Sequence, residues 1–156
     1  MQLQRVTRRR LAAVLAVVTM PALIAGARLA PRTSSARIAP RTVWDSVYTA
    51  EQATRGQASY NQTCAKCHQP SLGGADETPP LVGSTFLGGW NGQTLGAMHE
   101  RIRTSMPPDD PGTFGRQLIT DVMAYVLKVN GFPAGAAELP MEAGALKEIR
   151  LETTKR

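Results

Sequence analysis

The chain has 156 residues, room for one domain, and with only two Trp and three Phe it is thin in the large side chains that fill a core. Its formal net charge of +6 is unevenly placed: residues 1–43 hold eight arginines and no acid, whereas Trp44 to Pro133 carries six basic and eight acidic residues, a net of −2. A mildly acidic folded part excludes nucleic-acid binding, which needs a basic face on the domain itself.

Residues 1–27 have the form of an export signal. Arg5 to Arg10 make a positive start, Leu11 to Ala22 an apolar run, and Ala25-Gly26-Ala27 an A-x-A cleavage site. The other reading is an uncleaved membrane anchor, but Leu11 to Ala27 is close to the minimum span and contains Pro21 and Gly26. Both readings deliver the domain outside the cytoplasm, periplasmic or secreted, with membrane attachment only if the leader stays. Residues 28–43, rich in Ser, Arg, Pro and Ala without apolar periodicity, read as a flexible linker.

A domain is expected over 44–133. Its first helix begins near Thr49, because Thr49 and Gln52 have capping-box spacing. Ala53, Gly56, Tyr60 and Cys64 then fall on one face at helical period. A glycine inside a helix costs about 1 kcal/mol against alanine. Close approach of a second helix would account for Gly56, and so would plain tolerance.

The helix leads into Cys64-Ala65-Lys66-Cys67-His68. C-x-x-C-H is the spacing of a c-type haem attachment site. Two thiols one turn apart reach the two vinyl groups of one porphyrin, and the adjacent imidazole is carried under the ring to the iron. Three rivals fit less well. A thioredoxin-like disulfide lacks its βαβ surroundings. A zinc site lacks ligands, since these are the only cysteines and the other histidine, His99, stands alone. A chance match leaves the sparse core unexplained, whereas haem supplies the missing apolar volume.

Gln69 to Pro80 is irregular, with Pro70, Gly73, Gly74, Pro79 and Pro80, and a loop this long in a small domain is expected to wrap something. Leu81, Val82 and Phe86 offer apolar contacts, and Trp90-Asn91-Gly92 reads as a turn. Trp90 fits plain core packing, or its indole N–H could meet a propionate of the cofactor. Thr94 can cap a second helix with Leu95, Met98 and Ile102 inward and His99 toward solvent, ending at Ser105 before Met106-Pro107-Pro108. The last helix spans Gly115 to Asn130, with Leu118, Ile119, Val122, Tyr125, Val126 and Val129 as its apolar stripe. Gly131 and Pro133 stop it. Residues 134–156 read as a C-terminal tail with a short helix after Pro140 and no visible chemistry. No repeat, P-loop, dinucleotide fingerprint or nucleophile elbow is present.

Taken together, residues Trp44 to Pro133 resemble a class I, mitochondrial-type cytochrome c. Gly56 and Tyr60 precede the first cysteine by eight and four positions, as that family's glycine and aromatic do. The resemblance implies an all-α fold in which the N- and C-terminal helices cross, at Gly56 and Tyr60 against Val122 and Tyr125, with the chain wrapped round one covalently bound haem. Pro79-Pro80-Leu81-Val82-Gly83 is similar to the family's P-x-L-x-G, which implies that the Pro79 carbonyl orients His68. Met106 stands where the family's distal ligand falls. Tyr48 to Ala53 and Ser105 to Pro108 are also similar to small bacterial cytochromes that accompany quinoprotein dehydrogenases.

The implied protein is a periplasmic electron carrier rather than an enzyme. It would bear one heme c on Cys64 and Cys67, with His68 and Met106 as axial ligands. Its partners would be redox proteins, such as a periplasmic dehydrogenase and a terminal oxidase or another cytochrome. Two further classes remain at this level: a haem-bearing subunit of a dehydrogenase complex, and a sensor or peroxidase-like protein with an open sixth site. For that sixth position His99 is the rival of Met106. Met98 reads as core, and Met123 belongs to the last helix.

Overall fold

The computed structural model describes residues 40–155, so the leader and most of the linker expected from the sequence lie outside the described residues. Six helices and one short strand pair are present among them: β1 (Arg41–Thr42), α1 (Ala50–Thr63), α2 (Ala65–His68), α3 (Gly83–Trp90), α4 (Leu95–Ser105), α5 (Arg116–Val129), α6 (Ala143–Lys147) and β2 (Ile149–Arg150). A single 3-10 turn, Val43–Asp45, follows β1. The fold is all-α in character, and none of these helices is long and apolar enough to cross a membrane.

Helix α1 starts where Thr49 places its hydroxyl 3.0 Å from the Gln52 amide, which donates to it. Its buried face is Gln52, Ala53, Gly56 and Tyr60. That face crosses α5 at Gly56, where a Cβ would lie on top of the Asp121 carbonyl and 3.1 Å from the Tyr125 Cβ. The absent side chain is what lets the two backbones touch. Tyr60 and Tyr125 pack beside the crossing, ring centroids 5.4 Å apart. Helix α5 is buried all round from Ile119 to Leu127, not along one stripe. Val129, expected in the stripe, is 44% exposed because the helix runs out of the core in its last turn.

Three sequence expectations are corrected here. Residues 83–90, read as apolar contacts and a turn, form α3 despite three glycines. The linker does not extend to residue 43: Arg41 and Thr42 pair in parallel with Ile149 and Arg150, and Val43 is fully buried. The expected tail is part of the core, since Leu139, Leu146, Ile149 and Leu151 are all buried. Backbone bonds fasten it, from the Gly92 amide to the Leu151 carbonyl (2.8 Å) and from the Leu151 amide to the Gln93 carbonyl (2.9 Å). The short helix after Pro140 is present as α6. Apolar residues spaced too irregularly to signal an element still find core positions when the chain closes on itself.

Candidate haem site

Cys64 ends α1 and opens α2, so the turn that carries Cys67 and His68 follows directly on the helix locked on α5. Neither cysteine is in a disulfide; Cys67 is exposed and Cys64 half-buried. Burial pushes the Cys64 thiol up, partly offset by the Thr63 hydroxyl 3.3 Å away. His68 is buried, and its Nδ1 lies 3.0 Å from the Pro79 carbonyl oxygen. A carbonyl only accepts, so Nδ1 holds the proton and Nε2 keeps its lone pair for a metal.

Both cysteines and His68 line one cavity of about 570 Å³, together with Pro79, Leu81, Phe86, Trp90 and Met106. That is within the usual range of about 300–1,000 Å³ for ligand and cofactor sites. Its walls explain α3. Thr85, Phe86, Gly89 and Trp90 all line it, and their spacing is one face of a helix. From α4, Met98, Arg101 and Ile102 line it in the same way. Two thiols, an imidazole lone pair and a large, mostly apolar hollow fit a covalently held porphyrin. No group of three His, Cys, Asp or Glu that could hold a bare metal ion occurs among the described residues.

The other sequence candidates divide between the cavity and the helix crossing. Gly56, Tyr60 and Tyr125 sit at the α1–α5 contact outside the cavity lining, and Tyr60 donates its hydroxyl to the Gln69 carbonyl at 2.7 Å, tying the loop after the haem motif to α1. Burial raises the Tyr60 pKa, so that hydroxyl stays a donor. Trp90 is half-buried in the wall, 6.4 Å from Phe86 between ring centroids. Met106 follows α4 on extended backbone, φ −124 and ψ 140, and its amide still donates to Ile102. Met98 and Met123 also reach the cavity, from within packed helices.

His99 does not behave as expected. It is 2% exposed rather than solvated, and it is not part of the cavity lining. An apolar stripe of Leu95, Met98 and Ile102 implies one buried face; α4 has two, because the carboxy-terminal segment covers the other. Asn130 is a residue the sequence reading missed. Its side chain donates to the Leu81 carbonyl at 2.9 Å and accepts from the Gly83 amide at 3.1 Å, clamping the segment between Pro79 and α3 to the end of α5. An asparagine just before the terminating Gly131 was the available signal.

Residues 51–126 match the family model described as cytochrome c oxidase, cbb3-type, subunit III. No curated protein matches the chain. Among solved structures, the sulfane dehydrogenase SoxCD from Paracoccus pantotrophus is similar at 19% identity and a TM-score of 0.46. The match covers 69% of this chain and 61% of that one, so the chain spans under two thirds of that protein's length. On the motif, the cavity and the family match, residues 51–126 form a class I-like cytochrome c domain, which implies electron transfer by covalently held haem c.

Proposed function

We propose that the chain is a periplasmic monohaem cytochrome c that passes single electrons between redox proteins, with His68 and Met106 as axial ligands. One observation carries this reading: Cys64, Cys67, His68 and Met106 line the same cavity. Cys64 and Cys67 would hold the porphyrin by thioether bonds. His68 would bind from one side, its tautomer fixed by Pro79. Of the three methionines that line the cavity, Met98 and Met123 are almost wholly buried inside helices, whereas Met106 sits at a helix end where its sulfur is free to turn. Haem held in this way supplies one ferric–ferrous couple, and a thioether ligand raises its potential.

Filling both axial positions leaves no coordination site for a substrate, which makes the chain a carrier rather than a catalyst. The α1–α5 crossing, the Tyr60–Gln69 bond and the Asn130 clamp hold the ligand-bearing segments still, as rapid electron exchange requires. The described residues carry ten basic and twelve acidic side chains, so partners of complementary charge are favoured. The export-type leader supports periplasmic delivery.

Met106→Ala tests the ligand. The variant should lose the near-infrared sulfur-to-iron charge-transfer band, fall in potential and admit carbon monoxide when reduced. His99→Ala should retain the parent's ligand spectrum. The reverse pattern would overturn the assignment.

A further inference from the structure

Helix α4 has two buried faces with different occupants. Met98, Arg101 and Ile102 face the cavity. Gly96 and His99, one turn apart, share another face. At Gly96 a Cβ would stand 2.6 Å from the Lys147 Cγ and 3.0 Å from its backbone nitrogen, so α6 lies directly against α4 there. Strand β2 continues the cover through a bridge between Thr94 and Arg150. His99, one turn on from Gly96, is almost wholly buried, and neither ring nitrogen has a hydrogen-bond partner among the described residues.

A neutral imidazole with both nitrogens unpaired is tolerable in such a place; an imidazolium is not, because it brings two donors and a charge with no acceptor. The surrounding charges offer little relief. On α4, Glu100 favours the protonated ring, but it is held by Arg103 at 2.6 and 2.9 Å, and Arg103 opposes it. Arg116 of α5 opposes it as well. Lys147 of α6 acts on Glu100, and Arg150 of β2 is turned to the Gly92 carbonyl at 2.7 Å.

We propose that His99 is a proton-operated release for the carboxy-terminal segment: when its imidazole takes up a proton, the hold of α4 on residues 143–151 weakens and the segment opens more often. Burial lowers the His99 pKa below its ordinary 6.5. The closed form therefore binds fewer protons than the open one. The clasp is at full strength above about pH 6.5, and its opening constant rises by up to about tenfold per pH unit below that.

Hydrogen exchange read by mass spectrometry on the full haem-loaded chain, corrected for intrinsic rates, tests the clasp independently of which residue binds iron. From about pH 7.5 to about pH 5, amides of 143–151 should lose protection in a one-proton transition while α1 and α5 keep theirs. In the reduced protein, the His99 ring proton followed by NMR should titrate over the same interval. His99→Leu should hold 143–151 protected throughout. Leu146→Ala, which weakens the clasp and leaves His99 in place, should move release to higher pH. The proposal is overturned if 143–151 stays protected in the parent, or if α1 and α5 open together with it. It is equally overturned if the ring titrates in a different interval, if His99→Leu opens with the parent's midpoint, or if Leu146→Ala leaves that midpoint unchanged.

Discussion

Gln52 is wholly buried, yet its amide is satisfied by a residue far along the chain. Its Nε2 donates to the Leu139 carbonyl at 3.3 Å, and its Oε1 accepts from the Leu139 amide at 2.8 Å. The capping-box spacing correctly placed the start of α1, since the Thr49 hydroxyl does accept from the Gln52 amide. It says nothing of where the Gln52 side chain ends up, because a local motif cannot show that a distant backbone group needs both a donor and an acceptor. Gln52→Leu keeps the apolar bulk and leaves the Leu139 amide and carbonyl buried without partners. Each orphaned group costs about 1–3 kcal/mol. Urea unfolding of the variant should show a clearly lower midpoint with an unchanged slope; a midpoint equal to the parent's would mean that water satisfies Leu139 instead.

At the scale of elements, the pairing of α1 with α5 depends on one missing side chain. Gly56→Ala adds a single methyl, and that methyl falls on the Asp121 backbone, which cannot move aside as a flexible side chain could. Helix propensity favours alanine by about 1 kcal/mol, so a stabilised variant would show that the crossing is looser than described. The expected result is destabilisation by at least about 1–3 kcal/mol. On the opposite helix, Tyr125→Ala should cost about 3–5 kcal/mol. Helices α1, α4 and α5 were legible in the sequence because each has a capping residue or an apolar period. Helix α3 was not: only its Phe86 is buried, and the rest of its inner face borders the cavity. A helix that packs on a cofactor need not write that face as an apolar stripe.

For the folded chain as a whole, the attachment motif was legible because its chemistry is fixed by residue type and spacing, and Met106, singled out by the resemblance, lines the same cavity. The closure of the fold was not. Residues 139–151 space their apolar side chains without a sustained period, and their role appears only when β1, Trp44 and Gln52 are found beside them. The Trp44 indole donates to the Glu152 carbonyl at 2.9 Å, linking the two ends of the described fold. This closing segment lies beyond residue 126, where the match to the family model stops. If it were an appendage, a chain ending at Glu138 would take up haem and unfold like the parent. The burial says otherwise. Leu139, Leu146, Ile149 and Leu151 are each no more than 2% exposed. Burying a residue of this kind contributes about 1.5–3 kcal/mol, so the four together are worth about 6–12 kcal/mol as an upper estimate. That is comparable with the whole stability of a typical domain, about 5–15 kcal/mol. Their loss would also expose Val43 and leave Gln52 without its partner. The truncated chain should therefore give little haem-loaded product on export, and what forms should unfold at a far lower urea concentration. Parent-like yield together with a parent-like midpoint would show that residues 51–126 and their immediate flanks fold without the closing segment.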